Sequence, residues 1–246
     1  MYRSELIDDL ISVVHEKNVL ARDVRVGISW TAVIGKYCGL AKTYANSIAR
    51  DAYTRNMGSL AEKNTFELAG YLRSWNLIEA SIGLAAINSM IPSKGKTGIN
   101  ALDIIAERGK NKKITFVGKF PHIEKVREKA KEVVILELDQ SLLDPARGIL
   151  PATAAEYLLP NSDIVAITGS AIVNKSMERL LKLCKSGNAY VVVLGPSTPM
   201  CDVLFDYGAN MLAGVEVTNY ESLLKKISQG GGMLSQQCLK MNLRSE

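Results

Sequence analysis

The sequence predicts an α/β protein with a small N-terminal α+β domain over residues 1–95 and a Rossmann-like parallel-sheet domain over residues 96–246. Apolar strands in the second half run repeatedly into turns rich in Gly, Pro and hydroxyl residues, and then into helices. These strands do not alternate apolar with polar residues, which is typical of parallel sheets covered on both faces. The first hundred residues read instead as helix, strands and helices, which favours a separate α+β unit.

The N-terminal elements follow from local patterns. Apolar residues recur at helical spacing over Ser4–Lys17, with Ser4 available as the N-cap. The segment Val24–Tyr44 alternates like two or three antiparallel strands with glycine turns. Thr65–Ser74 and Asn76–Met90 are predicted to be helices. The Gly- and Lys-rich segment Ser93–Asn100 is predicted to be the linker between the domains.

The C-terminal domain is predicted to contain strands near 114–118, 133–138, 163–168, 189–194 and 210–214, with helices between them. Parallel sheets bind ligands beyond the carboxyl ends of their strands. The turns that follow three of these strands should therefore meet at one crevice, where free backbone N–H groups can hold an anionic ligand. The three turns are Gly118-Lys119-Phe120-Pro121, Thr168-Gly169-Ser170 with Asn174, and Gly195-Pro196-Ser197-Thr198.

The first turn lacks the GxGxxG fingerprint, which argues against a nicotinamide cofactor, and the cofactor is left unassigned. Glu137 lies at the end of the second strand, where a Rossmann acid meets a ribose. Together with Asp139 and Asp144 it suggests either a hard-cation site or a solvated acidic loop. For Thr168 and Ser170, ordinary helix capping is the alternative to ligand binding.

No catalytic set is predicted, so the sequence leaves open whether the protein is an enzyme. The sequence offers no recognisable Ser/His/Asp set and no GxSxG motif. His122 is predicted to lie in the first turn of a helix, and a partly exposed surface position is the alternative to a functional one.

Composition argues against several functional classes of protein. The net charge of +5 comes from scattered residues, which argues against a nucleic-acid partner. The four cysteines are far apart, which argues against a zinc knuckle or a disulfide framework. An amphipathic N-terminus and the absence of a long apolar stretch predict a cytoplasmic protein without membrane insertion. A homodimer is expected only because symmetric pairs are the commonest assemblies.

The segments GISWTAVIG, CGLA, SWNLIEASIGLAAIN, FVGKFP, ITGSAIVN and VVLGPSTPM resemble a two-domain bacterial and archaeal family described as "putative heavy-metal chelation". The resemblance covers nearly the whole chain. It implies an N-terminal domain similar to that of enolase, a Rossmann-like domain and a site between them. The positions it marks are Gly118, Phe120, Pro121, Glu137, Thr168, Gly169, Asn174, Gly195, Pro196, Ser197, Thr198 and, from the first domain, Asn88; the turn analysis adds Ser170.

Three functions remain open. The protein is expected to bind a small anionic or metal-chelating molecule at the crevice, with or without catalysis. Direct heavy-metal binding is the first alternative, and Cys38, His122 and Cys201 are the soft donors that would then have to meet. The second alternative is a non-catalytic interaction module linked to metal transport, whose mark would be a large exposed apolar patch.

Overall fold

A computed structural model describes residues 4–45, 54–232, 234 and 238–245 of the chain. The N-terminal domain contains a three-stranded antiparallel sheet in the order β1-β2-β3, with helices packed against it. Its elements are α1 (Glu5–Ser12), β1 (Asp23–Val26), β2 (Trp30–Ile34), β3 (Cys38–Lys42), α2 (Thr65–Ala69) and α3 (Leu77–Asn88).

The C-terminal domain is built on an eight-stranded sheet in the order β4-β11-β10-β9-β8-β5-β6-β7. Its strands are β4 (Lys96–Thr97), β5 (Lys113–Val117), β6 (Glu132–Glu137), β7 (Ile149–Pro151), β8 (Ile164–Thr168), β9 (Tyr190–Leu194), β10 (Met211–Val217) and β11 (Leu239–Ser245). Its helices are α4 (Ala101–Arg108), α5 (Glu124–Lys129), α6 (Ala155–Leu158), α7 (Met177–Gly187), α8 (Val203–Asp206) and α9 (Tyr220–Ser228).

The six strands from β5 to β10 are parallel and lie in the order β7-β6-β5-β8-β9-β10. Numbered along the chain from β5, this is the order 3-2-1-4-5-6 of dinucleotide-binding folds. After β5 the chain adds β6 and β7 toward one edge of the sheet, and after β8 it adds β9 and β10 toward the other edge. The topological switch point therefore lies between these two strands. The predicted α/β class and its small antiparallel and larger, mostly parallel sheets are confirmed.

The parallel strands are buried on both faces, as their predominantly apolar sequences predict. Along β5, Ile114 and Phe116 pack into a cluster with α4 and α5. Val117 faces the opposite way, into a cluster that contains α7 and also the core of the N-terminal domain. Because this second cluster is continuous across both domains, the N-terminal domain is fixed to the sheet by apolar packing as well as by hydrogen bonds.

Three local features differ from the sequence predictions. The predicted linker contains β4, which pairs with the C-terminal strand β11. Strand β11 is absent from the predicted strands, although apolar and polar residues alternate along it. Helix α5 begins at Glu124, so Pro121 and His122 lie in the loop before it. His122 has a φ of +61°, which no helical residue adopts.

None of the helices within the described ranges is both long enough and apolar enough to cross a membrane.

Candidate functional site

The three predicted ligand turns lie side by side at the carboxyl edge of the sheet, because β5, β8 and β9 are neighbours. We call them turn 1 (residues 118–121), turn 2 (168–170) and turn 3 (195–198). A methyl group added to Gly118 would lie 3.0 Å from Thr168 Cγ2, and one added to Gly169 would lie 2.7 Å from Thr198 N. Turns 1 and 2 are therefore in contact, and turns 2 and 3 pack too closely to leave a hollow between them.

Turn 1 and the end of β6 are joined by a hydrogen bond. The backbone N–H of Lys119 donates to the Glu137 carboxylate. Glu137 has the chain position of a ribose-binding acid, but here it holds the backbone of the turn. Asp139 instead accepts from the backbone N–H of Ser141 at 2.9 Å. The two carboxylates thus have separate, local partners.

Turn 2 is capped locally and is covered by the N-terminal domain. Thr168 Oγ1 accepts from Ser170 N, which caps a short 3-10 turn and not helix α7. Tyr44 of the N-terminal domain donates its hydroxyl to Ser170 O at 3.3 Å and accepts from Asn174 Nδ2 at 3.1 Å. Burial raises the pKa of Tyr44, so the phenol stays protonated and keeps both bonds.

Turn 3 is held by two elements of the N-terminal domain. Lys42 N donates to Ser197 Oγ at 2.9 Å. The Asn88 side chain at the end of α3 donates from Nδ2 to Leu40 O at 2.8 Å and to Ser197 O at 3.2 Å. Strand β3, helix α3 and turn 3 therefore meet at one amide group.

A cavity of about 380 Å³ opens beside this junction, between the two domains. A volume of this size is in the range of small-molecule sites. It is lined by Arg22, Ile34, Lys36, Tyr37, Cys38, Gly39, Leu40, Asn88, Ile91, Pro92 and Ser93 from the N-terminal side, and by Pro196, Thr198, Met200, Val215, Glu216, Val217 and Tyr220 from the C-terminal side. We call it the interdomain cavity.

Two polar atoms of residues that line the cavity are buried without a partner among the described residues: Asn88 Oδ1 and Thr198 Oγ1. Asn88 Nδ2 is bonded to two backbone carbonyls, which can only accept, so the orientation of its amide is fixed and Oδ1 is the acceptor left over. Each buried polar group without a partner costs about 1–3 kcal/mol. Both atoms are closed off from solvent, and the Thr198 hydroxyl oxygen lies 2.6 Å from the position that a methyl group on Gly169 would take. They are therefore unpaired atoms beside the cavity and not part of its surface.

The mouth of the cavity carries charge. Arg22, Lys36 and Glu216 are exposed residues of its lining, and none of them forms an ion pair with another residue in the described part of the chain. Arg22 uses one guanidinium nitrogen to donate to Gly35 O at 3.1 Å. Two cations and one carboxylate give the mouth a net positive charge.

The structure divides the sequence-predicted positions between two places. Asn88, Pro196 and Thr198 line the interdomain cavity. The others lie in turn 1, in turn 2 or shortly after it, at the end of β6 or in the rest of turn 3: Gly118, Phe120, Pro121, Glu137, Thr168, Gly169, Ser170, Asn174, Gly195 and Ser197. Sequence reasoning missed Arg22, Lys36 and Glu216, because single charged residues in a strand or loop give no local signal of a shared cavity.

The residues present do not fit a soft metal ion. Within the described ranges, no three His, Cys, Asp or Glu side chains lie close enough together to hold one. Cys38, His122 and Cys201 therefore do not form a site. Burial raises the pKa of Cys38 to about 12, of Cys184 to about 12 and of Cys201 to about 11, whereas metals bind the thiolate.

Comparison with known proteins gives matches over both domains. The model of the DUF364 family, described as "Putative heavy-metal chelation", matches residues 100–241, and the DUF4213 model, with the same description, matches residues 7–91. An uncharacterised protein of Methanocaldococcus jannaschii is 28% identical over 169 residues, and the alignment covers 66% of this chain and 64% of that protein.

Two crystal structures of DUF364 proteins of unknown function share the fold. The one from Desulfitobacterium hafniense has a TM-score of 0.83 at 25% identity, and the match covers 98% of both chains. The one from Pyrococcus horikoshii has a TM-score of 0.81 at 23% identity, again over 98% of both chains.

Proposed function

Because the chain belongs to the DUF364 family, whose description points to small ligands or metal ions, we propose that it is a small-molecule-binding protein with its ligand in the interdomain cavity. In this proposal the two domains span residues 1–95 and 96–246, and both contribute to the site. The ligand is a small anion or an organic chelate. Asn88, Pro196 and Thr198 contact it directly.

One observation carries the proposal: the interdomain cavity has the volume and the apolar walls of a small-molecule site, and its two cations, Arg22 and Lys36, form no ion pair in the described part of the chain. It lies beyond the carboxyl ends of β9 and β10, two strands away from the switch point between β5 and β8. The support for a site therefore comes from the cavity itself and not from the topology.

The remaining predicted positions have supporting roles in this proposal. Gly169 lets turns 2 and 3 pack together, and Ser197 fixes turn 3 to β3 and α3. Gly118, Phe120, Pro121, Glu137, Thr168, Ser170 and Asn174 form the adjoining edge around the switch point, and Gly195 begins turn 3.

Cys38 provides a direct test, because it is a half-buried residue of the cavity lining while the other three cysteines are buried. A thermal-shift panel of nucleotides, organic acids, organic chelates and divalent metals would identify compounds that stabilise the full chain. For each of them, the rate at which iodoacetamide modifies Cys38 at about pH 9 would be measured by mass spectrometry, because the raised pKa makes this thiol slow to react at neutral pH. We expect the ligand to slow this modification, with Cys38→Ser as the control for labelling elsewhere.

The proposal fails if no compound in the panel stabilises the protein. It also fails if stabilising compounds bind but leave the modification rate of Cys38 unchanged, because the ligand then lies outside the cavity.

Direct metal binding is the second candidate, and it is favoured by the family description alone. The protonated, dispersed thiols support the organic ligand instead. We expect untagged protein from zinc- or cadmium-supplemented medium to carry less than one metal ion per chain by elemental analysis. We also expect zinc to leave the reaction of Cys38 with a thiol reagent unchanged. Stoichiometric metal that protects the cysteines would reverse this preference.

A further inference from the structure

We infer that the ligand of the interdomain cavity is an amphipathic organic anion that binds in one orientation, with its apolar body inside the cavity and its charged group at the mouth beside Arg22 and Lys36. This inference rests on the proposed function and deepens it, because it selects one class among the small ligands left open there. It excludes molecules that are charged or hydrated on all sides, such as nucleotides and hydrophilic metal chelates.

The lining of the cavity changes in character with depth. The exposed residues of the lining define the mouth, and they are Arg22, Lys36, Tyr37, Glu216 and Tyr220. All five carry a charge or an aromatic ring. A ligand therefore meets charged and aromatic side chains where the cavity opens to solvent.

The buried part of the lining is apolar. Its large side chains are those of Ile34, Leu40, Ile91 and Met200, each of which is at most 8% exposed. Walls of this kind favour an apolar ligand body, because contact with them removes apolar surface of both partners from water.

The polar side chains beside the buried part offer no donor to an anion. Asn88 donates from its amide nitrogen to two backbone carbonyls, so both of its amide hydrogens are used. The Thr198 hydroxyl is closed off from solvent and lies against Gly169 of turn 2. Both cations among the described lining residues are at the mouth. A carboxylate placed inside would therefore be buried without a partner, which is far more costly than burying an apolar group.

The Cys38 thiol reports the same environment. Cys38 is a half-buried residue of the lining. Burial is the main cause that raises its pKa to about 12, and the charge of Asp23 adds to it. Asp23 is itself paired with Arg25 at 2.9 Å. A negative charge is thus disfavoured where the thiol lies, as it is for any anion that loses its water.

The mouth, in contrast, favours an anion. Neither Arg22 nor Lys36 has an ion-pair partner within the described ranges. A hydrogen bond of 3.1 Å to Gly35 O holds the Arg22 guanidinium, and Lys36 Nζ lies 5.9 Å from the centroid of the Tyr37 ring. An anion at the mouth has two opposite charges near it and one like charge, that of Glu216, whereas a cation has the reverse.

Three para-substituted benzene derivatives separate these contributions. Para-isopropylbenzoate has an anion at one end and an apolar group at the other. Terephthalate replaces the isopropyl group by a second carboxylate with the same number of heavy atoms. Para-isopropylbenzamide keeps the shape and loses the charge. AMP and zinc citrate represent the excluded classes. Affinities for the full chain would be measured by ligand-observed NMR at neutral pH, and the site would be checked by protection of Cys38 from iodoacetamide.

We expect para-isopropylbenzoate to bind at least about tenfold more tightly than terephthalate, because an ionised carboxylate enters the apolar part whichever end of terephthalate goes in. The amide should bind about two- to tenfold more weakly than the benzoate at low salt, and added salt should reduce this difference, since both cations are exposed. AMP and zinc citrate should leave the modification rate of Cys38 unchanged at concentrations at which para-isopropylbenzoate protects it.

A pair of double variants assigns the charge preference to residues. In Arg22→Gln, Lys36→Gln, we expect the affinity for para-isopropylbenzoate to fall to that for the amide, while the amide binds as before. The control is Lys125→Gln, Arg147→Gln, which removes the same charge from exposed sites that do not line the cavity. It should leave both affinities unchanged.

Terephthalate that binds as tightly as para-isopropylbenzoate and protects Cys38 would overturn the inference, because a charged end would then enter the cavity. Equal affinities of the benzoate and the amide at low salt would also overturn it. Protection of Cys38 by AMP or zinc citrate, but by none of the benzene derivatives, would overturn it and leave the proposed function standing. If no compound of any class protects Cys38, the inference and the proposed function both fail.

Discussion

Replacing Thr198 by valine tests the argument about unpaired polar atoms, because the two side chains have the same shape and differ by one hydroxyl. The Thr198 hydroxyl is buried and has no partner among the described residues. A group of this kind costs about 1–3 kcal/mol when it is dry, and this hydroxyl is closed off from solvent. We therefore expect T198V to leave the free energy of unfolding unchanged or to raise it by about 1 kcal/mol.

Thr115→Val is the matched control. Thr115 is equally buried, in β5 of the same domain, and its Oγ1 lies 2.7 Å from Ser162 Oγ. Ser162 Oγ also donates to Leu158 O at 2.8 Å, so the hydrogen in the Thr115–Ser162 bond belongs to Thr115. T115V removes a bond that is made, and we expect it to lower the free energy of unfolding by about 1–2 kcal/mol.

Equilibrium urea unfolding measures both variants, and equal m-values allow their midpoints to be compared directly. The sign of the difference decides the question: T198V should lie at or above the wild type and T115V below it. If T198V lowers the free energy of unfolding as much as T115V does, the Thr198 hydroxyl already has a partner.

Three further predictions concern the frame of the site. Gly195 has a φ of +110°, so Gly195→Ala should lower the free energy of unfolding by about 1–3 kcal/mol. Gly70 has a helical φ, so the control Gly70→Ala should not destabilise the protein. Equal effects of the two substitutions in urea unfolding would contradict this prediction. Burial alone raises the pKa of Glu79, but hydrogen bonds and charge from Arg55 lower this pKa below its ordinary value of 4.5. The ionised carboxylate therefore stabilises the fold above that pH. Its contribution is lost as the pH falls through the lowered pKa. Glu79→Gln should therefore be less stable than the wild type at neutral pH, and the gap should close in acid; a gap independent of pH would refute the pairing. Tyr44→Phe removes the hydroxyl that bonds turn 2, so amide hydrogen exchange there should be faster than in the wild type, and an unchanged rate would show that packing alone holds the turn.

The sequence predicts the parallel core because burial on both faces leaves a direct mark. The runs that form β5, β8 and β9 are predominantly apolar, and strand pairing then brings their turns to one edge. The antiparallel edge leaves a different mark. Strand β11 reads LKMNLRS, in which apolar and polar residues alternate as in a half-buried strand, but this pattern does not reveal that it pairs with the two residues of β4 at the other end of the domain. Nothing local reveals a pairing between segments so far apart in the chain.

The site was predictable in part for the same reason. Topology alone places turns 1, 2 and 3 side by side, but it does not say which of them lines a hollow. That depends on how the N-terminal domain rests on turn 3, which is set by the contacts of Asn88 and Lys42 with Ser197. Because those contacts join residues more than a hundred positions apart, the cavity and the charges at its mouth become visible only in the folded chain.

Ser197 commits both its side-chain oxygen and its carbonyl oxygen to the N-terminal domain. Swinging the two halves apart would break both bonds and expose the apolar cluster that they share. Ligands should therefore enter the interdomain cavity through its open mouth, without a hinge motion of the two domains. Their observed association rates should rise in proportion to concentration, in a single kinetic phase, with no plateau from a slow isomerisation.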